Sequence, residues 1–215
     1  MDKFSLKYYN ESILKGIEKG YIFTSCKNYD KVELINEKTV LLRHDVDFNL
    51  ENTLNIAKIE HDLNATSTFF IRLHSKNYNI LEYNNINIVK NILSMGHEIG
   101  LHFEPDFYEK NYDGSISDWL SREVNFLSDL IGEKIVGASV HEPSRRGNII
   151  NNEVISKTSL KYESYLIPKT YKYISDSGGR WREGDLLEWV NKDINKLYVN
   201  THPVWWYNQT PLENY

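Results

Sequence analysis

The chain has 215 residues, 40% of them hydrophobic and 26% charged, which suits one globular domain with a substantial core. A net charge of -5 leaves no basic footprint for a nucleic-acid backbone, and the longest apolar runs fall far short of membrane-spanning length. The single cysteine, Cys26, excludes an internal disulfide and a thiolate metal cage.

The opening residues, MDKFSLKYYNES, contain no apolar stretch leading to a small-residue cleavage site, so a cytoplasmic protein is expected. Residues 1–37 read as a helical extension, with a helix over Glu11–Glu18 stopped by Gly20. Beyond it strands and helices alternate. Thr39–His44 reads as a buried strand. Asn49 follows as the cap of a helix in which Ile56, Ile59 and Leu63 recur at helical spacing. Thr68–Leu73 is the next strand, and Ile86, Val89 and Leu93 mark a helix closed by Gly96. Glu98–His102 reads as a strand. Leu120, Val124, Leu127 and Ile131 line a helix that ends at Gly132. Strands are expected at Ile135–Val140 and Lys196–Thr201. This order points to a mainly parallel sheet covered by helices, open or closed into a barrel, in one domain spanning residues 1–215.

In such folds chemistry collects at the carboxyl ends of strands. Asp45, Asp47, His102, His141 and His202 all fall at or just after predicted strand ends, and Asp176 follows the segment Tyr171–Ser175. The segment LLRHDVDF sets Asp45 and Asp47 on one side of an extended chain, with Val46 on the other. Two carboxylates held so close repel, and a divalent cation relieves the repulsion. One acid can then ligate the cation while its neighbour accepts a proton. With His102 as an imidazole ligand, the mixed donor set suits zinc or a similar first-row metal. An Asp pair of this kind also serves as a turn or helix cap. His44 and His97 read as structural hydrogen-bonding groups, and His61 and His74 as surface or loop residues. Arg145 and Arg146 form either a solvated pair or an anchor for an anionic substrate group. The aromatic content of 13% fits core packing as well as rings stacked on sugars.

Four segments in order, LLRHDVDF, NATSTFFI, GHEIGLHFE and NTHPVWW, resemble the polysaccharide deacetylases with a NodB-like domain, carbohydrate esterase family 4, over residues 38–206. The form HDVD is similar to a divergent branch associated with bacterial surface-polysaccharide loci. The resemblance implies a distorted, incomplete (β/α) barrel and a metal-dependent hydrolase that removes an N-acetyl or similar acyl group from a sugar. Asp45 would be its general base, Asp47 and His102 metal ligands, and His202 the general acid. The chain departs from the pattern at Asp106, where the family has a second histidine. The third ligand is therefore either Asp106 or His141, with His141 favoured. His141 itself, in His141-Glu142-Pro143, stands where the family carries an arginine motif. Asp176 would orient His202. Arg145, Trp205 and Trp206 are candidate substrate contacts, although both tryptophans can equally be core aromatics. The expected partner is a saccharide, with no nucleic acid and no membrane span. A cytoplasmic site of action would favour a glycan precursor over a finished polymer. Two other readings stand: a saccharide-binding descendant that no longer cuts, and an Asp-x-Asp glycosyltransferase, for which residue 45 comes too early to follow a nucleotide-binding half-domain.

Overall fold

A computed structural model describes residues 2–33, 37–109, 112–143 and 149–214. Eight strands form one sheet in which every pairing is parallel: β1 (Ile22–Thr24), β2 (Thr39–Val46), β3 (Thr68–Ile71), β4 (Glu98–Phe103), β5 (Gly137–Val140), β6 (Tyr162–Glu163), β7 (Lys172–Ser175) and β8 (Lys196–Thr201). The path runs β6-β5-β4-β3-β2-β8-β7, with β1 added on β2. Adjacent strands on this path are consecutive in the chain except at β2–β8, and among the described residues the two ends of the path, β6 and β7, do not pair. The sheet is therefore an incomplete barrel, as expected.

The helices are α1 (Leu6–Glu18), α2 (Tyr29–Glu33), α3 (Leu50–Asp62), α4 (Tyr83–Ser94), α5 (Pro105–Glu109), α6 (Ile116–Ile131), α7 (Asn152–Ser156) and α8 (Leu186–Asn191). Local chemistry explains their ends. The Asn49 side chain accepts from Asn52 N at 3.0 Å to start α3. Ser115 and Asp118 form a reciprocal capping box on α6, and Gly132 ends that helix at φ 75°, a left-handed conformation that favours glycine.

One expectation needs correction. Residues 1–37 are not simply a helical extension, because Ile22–Thr24 pairs with Thr39–Leu41 as part of the sheet. This strand is three residues long and flanked by no clear turn signal, so its pairing comes from tertiary contact.

A two-residue period separates the faces of β2, which is buried throughout. Val40, Leu42 and Val46 pack with Ile56 and Ala57 of α3 and with the outer residues of neighbouring strands. Leu41 faces the barrel interior with Cys26, Phe70, Tyr162 and Tyr198. These rings need room that only glycine leaves. A Cβ on Gly100 would stand 2.5 Å from the Phe70 ring, and one on Gly137 would stand 2.1 Å from Tyr162.

His44, on the outer face of β2, enters a buried polar knot. Its Nε2 lies 2.8 Å from Glu60 Oε1, which also accepts from the Tyr9 hydroxyl. Glu60 Oε2 accepts from Ser67 Oγ at 2.5 Å and lies 3.5 Å from the His97 ring. His44 and His97 are thus structural, as their positions suggested. The knot ties α1, β2, α3 and the starts of β3 and β4 together. Glu60→Ala would orphan several buried donors at once and is expected to cost about 3 kcal/mol or more, to be read as the change in midpoint of a urea unfolding curve.

Candidate active site at the barrel mouth

The inward side of β2 continues upward from Leu41 through Arg43 and Asp45 to Asp47, which follows the strand. The same alternation brings His102 inward from β4, His141 from the end of β5, and Asn200 and His202 from β8. The result is a groove of about 1040 Å³ lined by Asp45, Asp47, His102, His141, His202 and Trp205, among others.

Three of these residues converge. Donor atoms of Asp47, His102 and His141 all lie within 4.8 Å of one another. His141 Nδ1 is 3.2 Å from Asp47 Oδ1 and 3.1 Å from His102 Nε2. His102 Nε2 is 3.5 Å from Asp47 Oδ1. The tautomer of His102 follows from its other nitrogen, since Nδ1 lies 3.1 Å from Ser139 O, an acceptor only. Nδ1 therefore carries the proton, and the Nε2 lone pair of the neutral ring faces Asp47 and His141. Burial holds the His102 pKa below its ordinary value, against the opposing pull of Asp45 and Asp47. Lone pairs and a carboxylate aimed at one point, with the second imidazole nitrogen anchored on a carbonyl, are the donor chemistry that a divalent cation fits. Asp106, on α5, lines the groove but is not a member of this cluster.

Asp45 lies beside the cluster and is held from below. Its Oδ2 accepts from Asn200 Nδ2 at 3.1 Å and from Arg43 Nη2 at 3.4 Å. Its buried Oδ1 accepts no hydrogen bond among the described residues. Burial would raise the Asp45 pKa, but Arg43, His102 and His202 together bring it below the ordinary carboxylate value. Asp47 behaves alike: burial opposes ionisation, yet His141 and His102 lower its pKa to about 2. Both acids are carboxylates at neutral pH.

His202 is a neighbour of Asp45, with Nε2 3.9 Å from Asp45 Oδ2. Its Nδ1 is 2.6 Å from Asp176 Oδ1, and its backbone N donates to Asp176 Oδ2 at 3.1 Å. Asp176 is fully buried and also accepts from Trp206 Nε1 at 3.0 Å. Burial works against a charged imidazole, but Asp176 outweighs it and raises the His202 pKa to about 9.

The two tryptophans separate. Trp205 lines the groove, its ring against Gly179. Trp206 does not serve as a substrate contact: it is 2% exposed, packed edge-on against Phe4, Tyr9 and Trp181, and its N–H is committed to Asp176. Arg145 lies outside the described residues. His74 is a loop residue between β3 and α4, with its ring stacked on Phe107 and its Nε2 2.8 Å from Glu123 Oε1. Sequence reasoning missed Asn200 and gave Arg43 no role. Both stand at inward positions of their strands, and that parity was the available signal.

No family model matches the chain, and no curated protein matches it. Solved structures do. The chain is similar to the Streptococcus pyogenes deacetylase PplD, solved in complex with acetate, at 14% identity over 96% of this chain and 84% of that one, with a TM-score of 0.52. It is also similar to a family 4 carbohydrate esterase from Streptomyces lividans, at 14% identity, 84% and 85% coverage and a TM-score of 0.48. A family 4 pseudoenzyme from Bacillus anthracis matches at 17% identity over 78% of this chain, with a TM-score of 0.48. This chain spans 56% of the pseudoenzyme's length. The likeness to the streptococcal deacetylase covers nearly the whole chain and shows the fold: an incomplete (β/α) barrel of the NodB-like type, as in the family 4 carbohydrate esterases. Among the described residues no helix is long and apolar enough to cross a membrane.

The Asp176–His202 pair makes a prediction for the metal-free protein. A histidine whose pKa is raised on folding adds stability that is fully present below about pH 6.5, its unfolded value, and is lost as pH rises through about 9. Titration followed by NMR should show the His202 ring deprotonating near 9. In Asp176→Asn the midpoint should fall to the ordinary range, about 6.5, or below it.

Proposed function

We propose that this chain, built on the fold of the family 4 carbohydrate esterases, is a metal-dependent hydrolase that removes an N-acetyl or similar acyl group from a sugar. The observation that carries this reading is the meeting of Asp47, His102 and His141 at the barrel mouth, in one groove with the Asp45 carboxylate and the carboxylate-paired His202. Asp47, His102 and His141 would hold the cation, zinc or a similar first-row metal. A cation bound there supplies Lewis acidity to the acyl carbonyl and to the attacking water.

The remaining work falls to side chains of this chain. Asp45 Oδ1, which accepts no hydrogen bond among the described residues, takes a proton from the water as its oxygen attacks the carbonyl carbon. Arg43 and Asn200 hold the other oxygen and so fix the direction of Oδ1. His202 is an imidazolium at neutral pH and gives its Nε2 proton to the nitrogen as the C–N bond breaks. The products are a free carboxylate and an amine. Asp176 keeps His202 charged and oriented. Trp205 offers a flat face at the rim for a sugar ring. The HDVD form of the first motif supports a role in surface-polysaccharide or glycan-precursor biosynthesis.

A second reading, a saccharide binder without turnover, draws support from Asp106 in place of the family's second histidine. Against it stands the retention of Asp45 and His202 together, since a binder needs no paired base and acid. The glycosyltransferase reading loses ground because Asp45 and Asp47 stand at the mouth of an incomplete parallel barrel together with His102, His141 and His202.

Metal analysis of the purified protein separates these readings. The wild type should hold about one equivalent of zinc, in keeping with a single site of this kind. Asp47→Ala, His102→Ala and His141→Ala should each lose it, while Asp106→Ala keeps it. A wild type that takes up no metal under any loading condition would reject the hydrolase reading. Asp45→Asn should retain the metal while kcat falls about 100-fold or more. With the acid on His202, kcat should decline as pH rises through about 9.

A further inference from the structure

Arg43 is fully buried in the barrel interior, and its guanidinium lies 4.9 Å from the Tyr165 ring centroid, 5.4 Å from Tyr198 and 5.7 Å from Phe70. Nη1 donates to Ser139 Oγ at 2.9 Å. Nη2 donates both to Asp45 Oδ2 at 3.4 Å and to the Tyr165 hydroxyl at 3.2 Å. The phenol oxygen is therefore an acceptor toward a group that can only donate, and its own proton must point elsewhere. Among the described residues the Tyr165 hydroxyl donates to no acceptor, and Tyr165 lines the groove. Burial raises the Tyr165 pKa above that of a free phenol, so the proton stays in place across the working range of pH. A hydroxyl that accepts from a cation is also polarised into a stronger donor. Because Asp45 and Tyr165 share one nitrogen of Arg43, the donor is fixed beside the carboxylate that would activate water.

We propose that Tyr165 is a catalytic residue whose hydroxyl donates a hydrogen bond to the acyl oxygen of the substrate. No proton is transferred in this step. The bond strengthens as negative charge develops on that oxygen, and Arg43, which cannot reach the groove past Tyr165 and Asp45, acts through both of them as a positioning residue. This assignment rests on the hydrolase reading for its substrate, so the test carries a readout that does not need turnover.

The experiment compares zinc-loaded wild type with Tyr165→Phe, a variant that removes one oxygen and keeps the ring against Arg43. Acetate serves as the probe in calorimetric titration, beside kcat and KM on an N-acetylated sugar and the metal content of both proteins. Tyr165→Phe should keep its zinc and bind acetate about fivefold more weakly, the size of one neutral hydrogen bond. Its kcat should fall about 100-fold or more with KM little changed, as for loss of an oxyanion donor. Equal acetate affinity in the two proteins overturns the assignment, as does a zinc-loaded wild type that fails to bind acetate. If the wild type shows no turnover but Tyr165→Phe still binds acetate more weakly, the hydrogen bond from Tyr165 to an acyl oxygen is upheld, while its catalytic role falls with the hydrolase reading.

Discussion

An arginine and an aspartate two residues apart, both buried on the inner face of one strand, set the terms for the rest of this molecule. Removing either charge from water is costly, and their mutual attraction offsets that cost only with good geometry and further hydrogen bonds. Arg43 finds those bonds in Ser139 and Tyr165, and its flat faces meet aromatic rings. Asp45 finds its second donor in Asn200. The supporting groups come from β5, β8 and the segment after β6, so the charge pair is satisfied only when the sheet has curled far enough to bring those elements around it. Barrel curvature and the buried pair are one constraint seen from two sides.

A parallel barrel turns that constraint into a site. Each strand contributes every second residue to the interior, and the apolar lower layer gives way to charge toward the carboxyl ends. Outside the sheet, the knot around Glu60 does for the outer face of β2 what the Arg43 cluster does for the inner face. His44 therefore spans from Glu60 to Thr201 Oγ1, 2.6 Å from its Nδ1, and locks β2 to β8 immediately below Asp45 and His202. The relative position of those two residues is thus set by groups that never reach the groove.

Much of this was legible in the sequence, and the reason is periodicity. Strands built on short apolar runs, such as Val40–Leu42 in β2 and Leu197–Val199 in β8, stood out, as did helices with strong caps, such as those opening at Asn49 and closing at Gly132. The residues after strand ends could be marked because a parallel sheet gathers its carboxyl edge. Most of what escaped notice had no local signal. Strand β1 and the two-residue β6 exist only by pairing with longer neighbours. Trp205 and Trp206 are adjacent and chemically identical, and only the three-dimensional path sends one to the groove and the other behind Asp176. Arg43 looked like one more charge in a charged run, although its inward parity with Asp45 was visible. Tyr165 lies in a segment with no strand or helix pattern strong enough to predict.

The aromatic floor of the barrel has a consequence for traffic. Phe70, Tyr162 and Tyr198 fill the interior below Arg43, and the glycines opposite the first two leave no slack beside them. Among the described residues these rings close the groove below, and it opens at the barrel mouth. On the proposed hydrolase reading, a small acyl fragment freed near that floor leaves toward the same mouth that holds the larger sugar, so the architecture favours an order of departure.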